Sequence, residues 1–216
     1  MTGDARELTL VVFARAPEPG RAKTRLIPVL GAEGAAALHA RLTRRTLETA
    51  IAAEIGPVQL WCAPHASFPF FHDCARDFPV RLRGQGPGSL GERMLRACRE
   101  APARAGGVIM IGTDCPAFSP QHLVAAAKSL AENDAVLTPA EDGGYVLIGL
   151  RRAAPSLFDD VSWGSADVME QTRAQLRRLG WNWAELPALW DLDRPRDLER
   201  LAAAPDLAGL LSGEAA

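Results

Sequence analysis

Apolar residues fall along this chain in two alternating rhythms. Short, nearly unbroken apolar runs alternate with longer stretches in which apolar positions recur every three or four residues. The first run, residues 8–14 (L-T-L-V-V-F-A), is β-branched at its centre and reads as a buried strand. Residues 32–54 then carry Leu38, Leu42, Thr46 and Ile51 near one helical face. Strands are predicted at 57–63, 79–83, 108–111, 134–138 and 145–150, with an alternating outer strand at 181–186. Helices are predicted at 67–78, from Leu90 to about Arg104, from Pro120 to about Asn133, at 166–179 and at 196–204, with about one more turn after Pro205. Phe68, Phe71, Cys74, Ala75 and Phe78 share a face of their helix and read as core. Such an alternation predicts an α/β fold: a mostly parallel central sheet with helices on both faces, as one domain over 1–216.

The breaks between elements carry the candidate chemistry. In an open α/β sheet, ligands collect at the carboxyl ends of the strands. After the first strand comes Ala16-Pro17-Glu18-Pro19-Gly20, which cannot continue a strand, and then Arg21-Ala22-Lys23-Thr24-Arg25. Loop N–H groups and these cations suit a diphosphate, although a solvated basic turn would carry the same charges. This first loop has neither a Walker A spacing nor G-x-G-x-x-G. A glycine-rich loop runs from Gly84 to Arg93. Its glycines permit close backbone approach to a ligand. Ser89 and Glu92 have the spacing of a capping box, which leaves Gln85 and Arg93 for base or phosphate contacts. The run 108–111 ends at Gly112 and delivers Thr113 and Asp114 into a turn. A second acidic turn, Glu141-Asp142-Gly143-Gly144, follows the next strand. Ser119 and Pro120 read as an N-cap and a first-turn proline.

Composition narrows the classes. The chain has 216 residues, 48% hydrophobic and 23% charged, with a formal charge of −2. That balance gives no reason to expect nucleic acid or acidic lipid as a partner. No apolar run approaches the roughly 20 residues of a membrane span, and residues 1–7 lack the start of a secretion signal. Four cysteines without a C-x-x-C pair are expected to be free thiols, in a cytoplasmic setting. His65 and His72 lack a third ligand at metal spacing, and Cys115 has no paired histidine.

Four ordered segments, V-V-F-A-R-A-P-E-P-G-R-A-K-T-R-L, G-T-D-C-P, E-D-G-G-Y-V-L-I-G-L and D-L-D-R-P-R-D-L, resemble a bacterial family of GT-A-type transferases described as uncharacterised glycosyltransferases and associated with arsenosugar biosynthesis genes. The chain is also similar to phospholactate guanylyltransferase and, more distantly, to molybdenum cofactor guanylyltransferase. The resemblance runs from about Leu10 to Leu201 and implies a nucleotide-diphospho-sugar transferase fold. It implies nucleotide and phosphate contacts from Ala14, Arg15, Ala16, Pro17, Gly20, Lys23 and Arg25, with Thr113 beside them. It places Gln85 and Gly86 beside the base, with Arg93 nearby. Asp114 matches a ligand of Mg²⁺ or Mn²⁺, and Asp193 or Asp191 a second one. The turn departs from the Asp-x-Asp pair of many such glycosyltransferases, since it holds a single carboxylate.

Two reactions follow from that resemblance. In sugar transfer from a nucleotide sugar to a small-molecule acceptor, the metal, Lys23 and Arg25 would neutralise the departing diphosphate. Asp142 would serve as base, with Gly143, Gly144 and Trp163 toward the acceptor. Asp142 could instead be a turn former, and Trp163 simple packing. In nucleotidyl transfer, a phosphorylated small molecule would attack the α-phosphate of an NTP, with Lys23 stabilising the phosphorus centre. A non-catalytic nucleotide-binding module is the third reading.

Overall fold

A computed structural model describes residues 8–101 and 106–212. The N-terminal residues 1–7 and the predicted helix end at Arg104 lie outside the described residues. The elements run β1 (Thr9–Arg15), α1 (Ile27–Ala52), β2 (Val58–Ala63), α2 (Pro69–Asp77), β3 (Val80–Gly84), α3 (Leu90–Glu100), β4 (Val108–Ile111), α4 (Pro120–Glu132), β5 (Ala135–Pro139), β6 (Tyr145–Leu150), α5 (Val168–Arg178), β7 (Trp183–Glu185), α6 (Pro195–Ala203) and α7 (Gly209–Ser212). Every predicted element is present. Gly31, at φ 71°, breaks the start of α1, so the regular helix begins where its periodicity does.

The seven strands form one sheet in the order β3-β2-β1-β4-β6-β5-β7. All neighbouring pairs are parallel except the two made by β6, which runs against β4 and β5. The reversal has a simple cause. A parallel return needs a crossover of a dozen or more residues, and only residues 140–144 separate Pro139 from Tyr145. The short hairpin therefore brings the Glu141–Gly144 turn to the edge where β1 and β4 end.

Side-chain alternation splits the core in two. Leu10, Val12 and Ala14 of β1 point to the face covered by α1, α2 and α4, where Leu47, Phe71 and Leu123 are fully buried. Val11 points to the other face, against Met94 and Ala97 of α3 and Met169 and Leu176 of α5. As predicted, Phe71 and Cys74 are core, with Phe68 and Phe78 packed against it. A third cluster joins Leu38 and Leu42 of α1 to Trp190, Leu192, Leu198 and Leu201. It matters for function because it ties the segment before α6 back over the end of β4. No helix among the described residues is long and apolar enough to cross a membrane, and the four cysteines are free and buried.

Candidate active site

A cleft of about 510 Å³ opens at the carboxyl ends of β1 and β4. This is the point where the chain order switches direction, β1 leading to β2 on one side while β4 lies on the other. The volume is in the range of small-molecule sites, and the position is the one where open α/β sheets bind ligands. Ala14, Arg15, Arg25, Gln85, Arg93, Thr113, Asp114, Asp142, Gly144, Trp163 and Asp193 all line it. The segments singled out in the sequence thus share one site.

The floor is built around Asp114. Its carboxylate opens onto the cleft, with 54% of the side chain exposed, although protein encloses it on the other sides. Lys23 is 4% exposed at its side chain; its ammonium lies 2.6 Å from Asp114 Oδ1 and donates to the Leu192 carbonyl oxygen. The basic loop and the strand-end acid do not merely face each other; they touch. Lys23 adopts a left-handed backbone conformation, φ 49° and ψ 44°. A non-glycine residue held there costs about 1–2 kcal/mol, which the two contacts of its ammonium offset. Burial works to raise the Asp114 carboxyl, but Lys23, His39 and Arg15 together hold it below the ordinary carboxylate value.

The segment from Leu189 to Asp193 is laced to this floor by main-chain bonds. Leu189 N–H donates to the Pro139 carbonyl at 3.0 Å, and Leu192 N–H to the Asp114 carbonyl at 2.8 Å. Two acids ride on it. Asp193 is paired with Arg25, and its main-chain N–H donates to Asp197 Oδ2 at 2.9 Å. Asp191 lies deeper: burial, then the neighbouring carboxylates Asp114 and Asp142, push its carboxyl up to about 7. Of the two alternatives for a second acid beside Asp114, Asp191 is the one in the electrostatic crowd, whereas Asp193 is neutralised at the rim.

Other predicted residues also make structural contacts. The Gln85 amide donates to the carbonyls of Ala14 (3.2 Å) and Trp61 (2.9 Å), fixing the cleft wall from a site 5% exposed. Arg93 Nε donates to the Gly88 carbonyl at 2.9 Å. The capping box of α3 is formed, with Ser89 N–H donating to Glu92 Oε2 at 2.6 Å and Glu92 N–H to Ser89 Oγ at 3.3 Å. Ala16, Pro17, Gly20, Lys23, Gly86 and Gly143 do not line the cleft; Lys23 lies beneath it, against Asp114. Ala16 donates its N–H to the Ala63 carbonyl at 2.7 Å, and Gly20 and Gly86 turn the chain at positive φ. Gly143 has φ 95° and a Cβ there would run into the Ala166 carbonyl. Its own carbonyl accepts from Met169 N–H at 3.0 Å, so it docks the start of α5. Asp142 Oδ1 accepts from Gly144 N–H at 3.0 Å, which makes it a turn former while it still faces the cleft.

Periodicity could not disclose His39. It sits on α1 beside Leu38, buried, and lines the cleft. An ionisable side chain next to an apolar helix face was the available signal. Burial keeps its pKa below the ordinary value, against the pull of Asp114. The opposite wall is apolar and aromatic, with Met94, Tyr145 and Trp163. Trp163 packs edge-on to Tyr145 (centroids 6.4 Å apart, 87°) and stacks on Phe158 at 6.5 Å. Gly91 makes room for it: a Cβ there would come within 2.8 Å of Trp163 Nε1. Gly91→Ala is expected to push the indole toward the cleft and cost about 1–3 kcal/mol by overpacking. A shift in tryptophan emission that vanishes in a Trp163→Phe background would confirm the displacement.

Fold and cleft together define a nucleotide-diphospho-sugar transferase-like α/β protein. A structure from Desulfovibrio desulfuricans G20, provisionally described as a nucleotide-diphospho-sugar transferase, is 30% identical over 96% of this chain and 94% of its own, with a TM-score of 0.84. Residues 46–165 match DUF2064, described as an uncharacterized protein conserved in bacteria, and the chain belongs to that family. Two more distant structures share the fold: a 4-diphosphocytidyl-2C-methyl-D-erythritol synthase from Anaerococcus prevotii DSM 20548 (11% identity, 91% of this chain and 95% of that one, TM-score 0.62), and a nucleotidyl transferase from Methanothermobacter thermautotroptrophicus (16%, 96% and 99%, 0.57). No curated protein matches the chain.

Proposed function

We propose that the protein is a transferase that cleaves a nucleotide-diphosphate linkage, and that it moves a sugar from a nucleotide-diphospho-sugar to a small hydroxyl-bearing acceptor. The observation that carries this reading is the pairing of Asp114 on the floor of one cleft with Lys23 buried beneath it, 2.6 Å apart, at the switch point of the sheet. Three cations of the amino-terminal segment, Arg15, Lys23 and Arg25, bear on this floor. They would take up the charge of a departing nucleoside diphosphate in a partly desolvated site, where fixed charges act strongly. The acceptor would lie against Trp163 and Tyr145, with Asp142 within the same cleft to receive its hydroxyl proton.

The donor set suits a hard divalent cation such as Mg²⁺ or Mn²⁺. Burial first, and then the neighbouring carboxylates Asp114 and Asp142, raise the Asp191 carboxyl to about 7; a cation would relieve the carboxylate part of that crowding. Among the described residues no three His, Cys, Asp or Glu side chains form a complete metal group. Asp114 and Asp191 would therefore share the ion with diphosphate oxygens and water, as Mg²⁺ sites commonly do. When bound, the ion would act as a Lewis acid on the diphosphate. Lys23 would hold Asp114 in place from beneath while its positive charge acts on the diphosphate.

Nucleotidyl transfer from an NTP is the second reading. It is favoured by one feature, the Lys23 ammonium fixed at the strand end by a strained backbone. The resemblance to guanylyltransferases keeps GTP in the comparison. The two readings separate by ligand-induced stabilisation with Mn²⁺ and a panel of nucleotide sugars, nucleoside diphosphates and NTPs. Sugar transfer predicts selective stabilisation by one nucleotide sugar and its diphosphate. A selective response to one NTP, with pyrophosphate released when a phosphorylated acceptor is added, would overturn it.

A further inference from the structure

Arg25 faces the cleft as a cation for a diphosphate, yet its guanidinium is already taken. It is paired with Asp193, and both side chains line the cleft. Among the described residues neither group has a second ion-pair partner. The two side chains are 63% and 44% exposed, and an exposed pair of this kind adds little to stability. The main chain around each partner is held by other means. Lys23, two residues before Arg25, is anchored on Asp114 and the Leu192 carbonyl, and Leu26 after it is fully buried. Across the rim, the main-chain N–H groups of Asp193 and Arg194 both donate to Asp197 Oδ2, at 2.9 and 2.7 Å. Each partner can therefore let go by turning its side chain alone. The pair matters for what Arg25 is free to bind, not for what it holds together.

Resting on the reading of this cleft as a diphosphate site, we propose that Asp193 is a stand-in for phosphate: it holds Arg25 until a ligand arrives, competes with the diphosphate for that guanidinium, and so sets how loosely the departing nucleoside diphosphate is retained. The guanidinium fork fits a carboxylate and a phosphate in the same way. A terminal phosphate carries more charge than one carboxylate and displaces it on binding. Its affinity is lowered in proportion to how seldom Arg25 is free of Asp193. Once displaced, the Asp193 carboxylate stands beside a ligand of its own sign, which favours release. The sign of the effect separates this role from any in which Asp193 attracts a ligand. Removing a competitor tightens binding, whereas removing a ligand contact weakens it.

The test is calorimetric titration of the full chain with a nucleoside diphosphate of each base in turn, first in chelating buffer and, if nothing binds there, with Mg²⁺. Asp193→Asn is expected to bind the diphosphate about 1.5- to 5-fold more tightly than wild type, the equilibrium equivalent of one exposed ion pair. The gain should shrink as salt is raised. It should vanish in an Arg25→Gln background, where there is nothing to compete for. In nuclear magnetic resonance, the Arg25 Nε–H signal should differ between wild type and Asp193→Asn without ligand, and converge at saturating diphosphate. Equal or weaker binding by Asp193→Asn, or a gain of the same size with Arg25 replaced, would overturn the proposal and leave the diphosphate reading standing. So would an Arg25 signal that saturating diphosphate leaves in place, which can be read even if Arg25→Gln binds too weakly to titrate. If neither wild type nor Asp193→Asn binds any nucleoside diphosphate in either buffer, the diphosphate reading falls and this proposal with it.

Discussion

Asp114→Asn is expected to abolish cation-dependent nucleotide binding and to lower transfer by about 10²–10³-fold, the loss typical when one preorganised charge contact at the reacting group is removed. The amide keeps the size and part of the hydrogen bonding of the carboxylate but not its charge. Lys23, 4% exposed at its side chain, would then be anchored by the Leu192 carbonyl alone. Two effects on stability oppose one another. Losing the partner of a nearly buried ammonium destabilises, discounted here because the Asp114 carboxylate is 54% exposed. Removing one carboxylate also relieves Asp191, whose proton affinity Asp114 helps to raise. The net change in stability should therefore stay within about 2 kcal/mol, so that lost binding is not mistaken for unfolding. Calorimetric titration of a nucleoside diphosphate, with and without Mn²⁺, measures the effect. A variant that still binds metal and nucleotide like the wild type would remove Asp114 from the site.

Asp191→Asn is expected to stabilise the protein, and to do so in a pH-dependent way. The carboxyl sits at about 7 in the folded chain, raised by burial first and then by Asp114 and Asp142. Its unfolded value is about 3.9. The folded state thus holds the proton more tightly than the unfolded state, and stability falls as pH rises from about 4 to about 7. Above that range the penalty is fully present; below it, it is absent. The asparagine has no such charge to confine. Its advantage over wild type should grow from pH 5 to pH 8 and reach about 1–3 kcal/mol, a figure reduced for the solvent that reaches the cleft. For a chain of this length that is about 2–12 °C in melting temperature. Adding Mn²⁺ with a nucleoside diphosphate should shrink the gap, because the cation compensates the aspartate and not the asparagine. A gap that is flat across pH, or one that Mn²⁺ leaves untouched, would show that Asp191 does not belong to the charged floor. Gain of stability with loss of function is the expected sign of a site residue.

What could be read from the sequence was what short stretches determine. Apolar runs of strand length and 3.6-residue periodicity located all seven strands and all the main helices, because burying one face is a demand each segment meets with its own residues. Turn chemistry was legible for the same reason. The capping box of α3 and the breaks after Arg15 and Ile111 involve residues a few positions apart. Even the reversal of β6 was implicit in the short spacing between Pro139 and Tyr145, although only the sheet order shows that β6 lies between β4 and β5.

The roles of individual side chains were decided by the tertiary structure. Gln85 has the composition of a base contact and serves as a buried brace, because the ends of β1 and β2 present carbonyls to it. Gly143 reads as a substrate-side glycine and is a docking point for α5. Asp191 and Asp193 are two residues apart and indistinguishable by pattern. One is half-buried among like charges and the other is paired with Arg25 at the cleft rim. His39 reaches the site only because α1 packs its inner face across the end of β1. The α/β alternation and the placing of charge in particular loops were legible along the chain, since those depend on near neighbours. Which charges meet, as Arg25 does with Asp193 across 168 positions, depends on desolvation and long-range packing that no local pattern encodes.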